Sequence, residues 1–222
     1  MSFAAWFLEY GADALALAAS FTMIAAYYVV MLARVRRDPL CTIHGVNQLA
    51  RTLWVEHVMA NPGKDVMAVQ TLRNFVMGAS LMASTAALLV VGTLTLSGQA
   101  EGIARSWHVF AGFGSVASEI WMLKVLCLLA DFLVAFFAFA MAVRLANHVA
   151  FMINIPVKDV PEVLSPRRVA HRLNRAGNHF AIGLRAFFFA VPLVFWLFGP
   201  IFLVTAAAGL VFTLHRLDRH SQ

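Results

Sequence analysis

The feature that most limits how this chain can fold is a run of 22 residues without a charge, from Phe75 to Leu96. A bilayer core about 30 Å thick needs about 20 apolar residues of helix to cross it. Three further segments meet that requirement, so the predicted spans cover residues 14–33, 75–96, 121–143 and 186–214. Because 61% of the 222 residues are hydrophobic and only 13% are charged, the sequence predicts an integral membrane protein.

Two segments that connect the spans have the pattern of helices rather than of linkers. They cover residues 42–73 and 144–185, and each combines apolar residues at helical spacing with polar ones. Within the second, Ser165 and Pro166 are typical of an N-cap and of the first helical position. The chain is therefore predicted to form one all-α domain over residues 1–222, an integral membrane four-helix bundle with amphipathic cytoplasmic helices.

The fourth predicted span, residues 186–214, is longer than one crossing requires. It contains Pro192 and the pair Gly199-Pro200. Proline has no backbone N–H to donate, so these residues should kink or break a helix. The sequence allows either one bent span or a shorter piece followed by a span.

Basic residues are concentrated in the two long connecting segments. The first has Arg34, Arg36, Arg37, Arg51, Lys64 and Arg73, and the second has Arg144, Lys158, Arg167, Arg168, Arg172, Arg175 and Arg185. The loop between the second and third spans contributes only Arg105. Because Lys and Arg favour short cytoplasmic loops, both termini are predicted to lie outside. The two arginines of the C-terminal tail HRLDRHSQ oppose this orientation weakly.

A broken stripe of polar residues enters the second span. With Gln70 as the origin and about 100° per residue, Arg73, Asn74 and Ser84 all fall within about 60° of it on a helix. This stripe could line a path through the protein. Alternatively, Arg73 could reach from the membrane edge to water, as long basic side chains often do.

The third span contains an ionisable residue, Asp131, near its middle. Lys124 lies two turns earlier on the same side, about 10 Å away, which is too far for a direct ion pair. Alanines at positions 135, 138 and 142 share this line, so Asp131 is expected to face protein rather than lipid. It could relay a proton or coordinate a cation, or it could pair structurally with an arginine or a hydroxyl.

The spacing of the histidines bears on whether the protein could hold a haem or a metal ion. His148 follows Arg144 at the end of the third span, and His171 and His179 lie two turns apart but roughly 80° out of line. None has the facing, membrane-embedded spacing of a bis-histidine haem, and the two cysteines are too few for a thiolate site. No cofactor is predicted, and a haem or metal at these histidines remains a minor alternative.

Soluble enzyme motifs are absent from the sequence. It contains no Gly-x-Ser-x-Gly, no P-loop and no dinucleotide fingerprint that follows a strand, so a non-enzymatic role is favoured. The basic segment RRVAHRLNRAGNH adjoins the membrane. It therefore predicts contact with anionic lipids at the cytoplasmic face rather than with nucleic acid.

Three blocks of the chain, VQTLRN, FFAFAMAVRLANHVAFMINIP and LNRAGNHFAIGLRAFFFAVPLVFWLFGP, together resemble the family called domain of unknown function 599. This resemblance implies a four-span membrane protein of bacterial type, which we expect in the inner membrane, and it brings no established activity. The positions that carry the resemblance are Gln70, Thr71, Leu72, Arg73, Asn74, Arg144, His148, Arg185, Pro192, Gly199 and Pro200.

Two classes of function fit these observations. The first is a homo-oligomeric channel or transporter for an ion or small solute, in which Arg73, Arg144 and Arg185 would favour an anion vestibule. The second is a structural or accessory subunit that binds another membrane complex or anionic lipid. Redox chemistry at a haem or metal is a third and minor alternative.

Overall fold

A computed structural model describes residues 3–61, 63–98, 118–155 and 161–217, without the side chains of residues 3–10, 118 and 217. It contains six α-helices in these ranges: α1 (Phe3–Arg37), α2 (Ile43–Ala60), α3 (Asp65–Gly98), α4 (Ser118–Met152), α5 (Pro166–Phe198) and α6 (Pro200–Leu217). The predicted outer loop with Arg105 and the end of the C-terminal tail lie outside the described residues.

Four helices are long and apolar enough to cross a membrane. They are Gly11–Arg37, Asp65–Gly98, Glu119–Met152 and Pro166–Phe198, and Pro200–Arg216 is a shorter apolar helix. No strand occurs in the part of the chain that the structure describes. The predicted all-α membrane bundle is therefore confirmed.

The helices predicted to be cytoplasmic are mostly continuations of the spans rather than separate elements. Ser165 is the N-cap of α5 and Pro166 its first residue, as predicted, but the helix then continues without a break to Phe198. At 1.5 Å per residue, α5 is about 50 Å long, well beyond the hydrocarbon core of a bilayer. The chain stays helical across the boundary because backbone hydrogen bonding within a helix does not depend on the solvent around it.

The fourth predicted span is divided at Gly199. The N–H of Gly199 donates to the carbonyl of Trp196 at 3.1 Å, and its φ of 150° lies in a region that favours glycine. After this residue α6 lies alongside both α5 and α1. It buries one face along its whole length, formed by Leu203, Ala207, Leu210 and Leu214. The sequence left the choice between one bent helix and two open, and the chain forms two.

The helices pack in a row in which α4 lies between α3 and α5, and α6 lies between α5 and α1. The α4–α5 contact is the largest, and it is filled by aromatic rings, with Phe139 at 5.5 Å from Phe180 and 5.4 Å from Phe187. The shorter helix α2 packs against the first half of α5. One end of the bundle, which we call the inner end, is thus built by α2 together with the ends of the spanning helices.

Candidate functional site

The predicted polar stripe of the second span lies on the outer surface of the chain. Gln70, Arg73, Asn74 and Ser84 are all exposed on α3. The buried positions of this helix are small residues and one leucine, and they lie on the opposite side: Ala68, Leu72, Ala79, Ala86 and Thr93. Within one chain the stripe therefore faces away from α4, and it meets neither Asp131 nor a closed path.

The remaining predicted site residues are dispersed. Arg144 and His148 are exposed on α4, and His171 is exposed on α5, whereas His179 is half-buried there. Arg185 lines a cavity that it shares with α1 and α2, and Arg73 and Arg144 do not line that cavity. The three arginines of the predicted anion vestibule therefore do not line one cavity in a single chain.

A layer of hydrogen bonds joins α2 to α5 at the inner end of the bundle. Gln48 Nε2 donates to Asn178 Oδ1 at 3.0 Å, and Arg51 Nε donates to Asn174 Oδ1 at 2.9 Å. Asn174 Nδ2 in turn donates to Thr52 Oγ1 at 3.0 Å. We call these five residues the α2–α5 polar layer. Each helix presents its polar groups one turn apart, so the two rows meet along one line.

Arg51 is the charged member of the α2–α5 polar layer. Its guanidinium is half-buried against Gly177, where a Cβ atom would approach Arg51 Cζ to 2.6 Å. One of its terminal nitrogens is buried without a hydrogen-bond partner, and burial lowers the pKa of the group. The ion pairs found among the described side chains do not include Arg51. Its charge is thus not neutralised by those side chains.

A cavity of about 540 Å³ adjoins this layer, between the inner end of α1, α2 and α5. One wall is apolar and comes from α1, with Met31, Leu32 and Val35. The other wall is polar, with Tyr28, His44, Gln48, Asn174 and Arg185. The guanidinium of Arg185 lies 5.7 Å from the centre of the Tyr28 ring. No acidic side chain lines this cavity among the residues described, so it combines positive charge with an apolar surface.

Lys124 forms an ion pair with Asp13 of α1, a partner that was not predicted from the sequence. Its Nζ lies 2.8 Å from Asp13 Oδ1, and both side chains are almost completely buried. The same oxygen accepts a hydrogen bond from Trp196 Nε1 at 2.7 Å, and Lys124 lies 5.4 Å from the centre of that ring. The group therefore links α1, α4 and α5 and is electrically neutral.

Asp131 lies two turns further along α4 and is half-buried. Its Oδ2 atom is buried and accepts no hydrogen bond from any described residue. The expectation that Asp131 pairs with an arginine is not met among the described side chains. Protein packs against this face of α4, because Cys127, one turn earlier, contacts a cluster that includes Trp196 and Leu203.

The histidines do not combine into a metal site in the described ranges. No group of three or more His, Cys, Asp or Glu side chains there is close enough to hold a metal ion. His44, which had no predicted role, instead lies 3.0 Å from Gln48 Nε2 at the rim of the cavity.

Sequence reasoning missed the α2–α5 polar layer and Asp13. The signal for the layer is the pair Asn174 and Asn178, four residues apart with Gly177 between them on a helix that is otherwise basic on its polar face. Nothing in the sequence links Asp13 to Lys124, because the two are far apart along the chain and belong to different spans.

The sequence pattern of the family described as protein of unknown function, DUF599, matches residues 15–222. The chain belongs to this family. The match covers every element described above except the first turns of α1, so the cavity, the α2–α5 polar layer and Asp131 all fall within the DUF599 region. No curated protein and no solved structure matches the sequence.

Proposed function

We propose that this DUF599 protein is a bacterial inner-membrane protein that binds an anionic lipid in the cavity between α1, α2 and α5. The observation that supports this best is the positive charge of the cavity, which Arg185 lines and which no acidic side chain lines among the described residues. The half-buried Arg51 adds a second charge next to the wall, because it donates to Asn174 Oδ1. A buried cation without a counter-ion is costly unless a ligand supplies the negative charge. A phosphate headgroup supplies it, and arginine binds phosphate through several N–H groups at once.

The shape of the cavity also suits a lipid rather than a free anion. The apolar wall formed by Met31, Leu32 and Val35 continues into exposed apolar surface on α1, where Val29 and Val30 are 68% and 51% exposed. An acyl chain can lie against this surface while the headgroup reaches Arg185. A small soluble anion would leave the wall uncovered, and the hydrophobic contribution of about 0.8 kcal/mol per buried CH₂ would be lost.

This proposal can be tested with purified protein by native mass spectrometry and by thermal unfolding. Phosphatidylglycerol should appear as bound mass and should raise the melting temperature, whereas phosphatidylcholine should do neither. Arg185→Gln should remove the effect of phosphatidylglycerol. Arg175→Gln is the matched control, because Arg175 lies on the same helix but is exposed to solvent. Equal binding of both lipids, or an Arg185→Gln variant that responds like the wild type, contradicts the proposal.

A homo-oligomeric channel or transporter is the second candidate, and the exposed polar stripe supports it. Gln70, Asn74 and Ser84 lie on an exposed side of α3 that runs into the predicted second span, and within that span lipid tails offer no hydrogen bonds. A second copy of the chain would provide partners, and a path would then run between copies rather than through one. The same mass spectra report copy number, and a monomer in mild detergent counts against this candidate.

The division of the fourth span changes the proposed orientation of the C-terminus. With α1 entering from outside, α5 returns the chain to the outer face, and α6 is about 27 Å long, enough to cross once more. We infer that the N-terminus lies outside, the two long connecting segments lie in the cytoplasm and the C-terminus also lies in the cytoplasm. His215 and Arg216 in the last turn of α6 then follow the positive-inside rule.

A further inference from the structure

Helices α1 and α4 run in the same direction, and side chains of each contact α5 at two levels. At the outer end Asp13 meets Lys124, and both contact Trp196 of α5. Fifteen residues further along each helix, Tyr28 lies 6.1 Å from Phe189. Phe139 lies between Phe187 and Phe180 of the same helix, at 5.4 and 5.5 Å. Residues at equal distances from Asp13 and Lys124 therefore lie at similar depths, within about one or two helical turns.

Ser20 and Asp131 occupy such equivalent positions, each seven residues beyond the ion pair on its own helix. Seven residues make almost two turns, so both side chains point to the side on which Asp13 and Lys124 meet. Ser20 is only 3% exposed, and its hydroxyl has no hydrogen-bond partner among the described residues. Asp131 Oδ2 is also buried and has no hydrogen-bond partner among the described residues. Two buried oxygens without partners thus lie on the same side of their helices and at similar depths.

The third helix supplies another oxygen at this depth. Pro192 lies inside α5 and is buried, one turn before Trp196 on the same side. Because proline has no N–H, the carbonyl of Phe188 lacks its usual donor within the helix. That carbonyl points toward Pro192, at a depth between Trp196 and Phe187. Ser20 and Asp131 lie beyond Asp13 and Lys124, which contact Trp196, and before Phe139, which contacts Phe187, so they fall in the same range of depth.

We propose that the Asp131 carboxylate, the Ser20 hydroxyl and the Phe188 carbonyl form a binding site for one Na⁺ ion between α1, α4 and α5. Oxygen atoms of carboxylates, hydroxyls and carbonyls are the ligands that hard cations take, and interrupted membrane helices coordinate Na⁺ through freed carbonyls. A single carboxylate balances one positive charge. Lys124 does not supply that charge, because it is held by Asp13 about 10 Å away.

Binding of Na⁺ would also remove an energetic cost. Buried polar atoms without partners are rare in folded proteins, and each costs about 1–3 kcal/mol. Two such atoms, Ser20 Oγ and Asp131 Oδ2, lie in the membrane-spanning part of the chain. The site is separate from the cavity at the inner end, and it does not depend on the lipid proposal.

Equilibrium binding of ²²Na⁺ to the purified full-length protein, with choline replacing Na⁺ at constant ionic strength, tests this site. Wild-type protein should bind one Na⁺ per chain in a saturable way. Asp131→Asn should abolish binding, and Ser20→Ala, which keeps the carboxylate, should weaken it by about tenfold or more. Glu56→Gln is the control, since Glu56 is an exposed acid on α2.

The outcomes separate clearly. No saturable binding by the wild type overturns the proposal, as does equal binding by Asp131→Asn. If Asp131→Asn fails to purify as a folded protein, Ser20→Ala decides, because unchanged affinity in that variant removes the hydroxyl from the site and overturns the proposal as stated. Arg185→Gln should bind Na⁺ normally, so failure of the lipid proposal is distinguished from failure of this one.

Discussion

Trp196 is the largest fully buried side chain among the described residues, and it lies where three helices meet. Its indole N–H and the ammonium of Lys124 both contact one carboxylate oxygen of Asp13. Neither charge is exposed to water, so each depends on the other for its stability. This group holds α1 to α4, although the backbones of these two helices make few direct contacts.

Removal of one charge from this group should therefore be more harmful than removal of both. Lys124→Met leaves Asp13 buried without a cation, and we expect a loss of about 3–5 kcal/mol in the free energy of unfolding. The double variant Asp13→Asn, Lys124→Met should recover most of that loss, because no charge remains buried. Unfolding titrations in mixed micelles measure both changes. A single variant as stable as the wild type, or a double variant no better than the single, contradicts this view of the ion pair.

At the scale of helices, the α4–α5 contact depends on the absence of a side chain at Gly183. A Cβ atom there would lie 2.7 Å from the ring of Phe139, which is fully buried between Phe180 and Phe187 and has no room to move. Gly183→Ala should therefore cost about 1–3 kcal/mol of stability through overpacking.

Gly92 on α3 provides the matched control for this substitution. A Cβ atom at Gly92 would meet nothing within 4 Å. Because alanine is the better helix former, Gly92→Ala should be neutral or more stable by roughly 0.5–1 kcal/mol. Thermal unfolding of the two variants should thus shift in opposite directions or differ by several degrees, and equal destabilisation would show that the close contact at Phe139 is not the cause.

The helices could be predicted from sequence more reliably than the faces they bury. Runs such as residues 75–96 require a span whatever packs beside it, so the fold class followed from hydropathy alone. Helical angles correctly grouped Gln70, Arg73 and Asn74 on one side of α3, but an angle does not say whether that side is covered. The opposite side contains Ala68, Ala79 and Ala86, and small residues permit close helix contact, which was the available clue.

The candidate site was less predictable because it joins residues that are distant in sequence. Gln48 and Asn178 come from different helices, and only the folded chain shows that α2 lies against the first half of α5. Arg185 was predicted as a site residue and does line the cavity, but its expected neighbours Arg73 and Arg144 do not. Basic residues near one membrane face share a depth, and depth alone does not place them together.

For the whole molecule, the division at Gly199 leads to a test of topology. Reporters fused after Phe198 and after Gln222 should lie on opposite sides of the membrane if α6 crosses it. Alkaline phosphatase, which is active outside, should work only in the first fusion, and green fluorescent protein should fluoresce only in the second. If both fusions report the outer side, α6 does not cross, and both termini lie outside as the charge distribution alone predicts.

The continuity of α5 has a mechanical consequence. One continuous helix carries Asn174 and Arg185 at the inner cavity and Pro192 at the proposed Na⁺ site, so a tilt that adjusts one end would displace the other. Occupancy at the two places would then be thermodynamically linked. If Na⁺ strengthens lipid binding by some factor, the lipid must strengthen Na⁺ binding by the same factor.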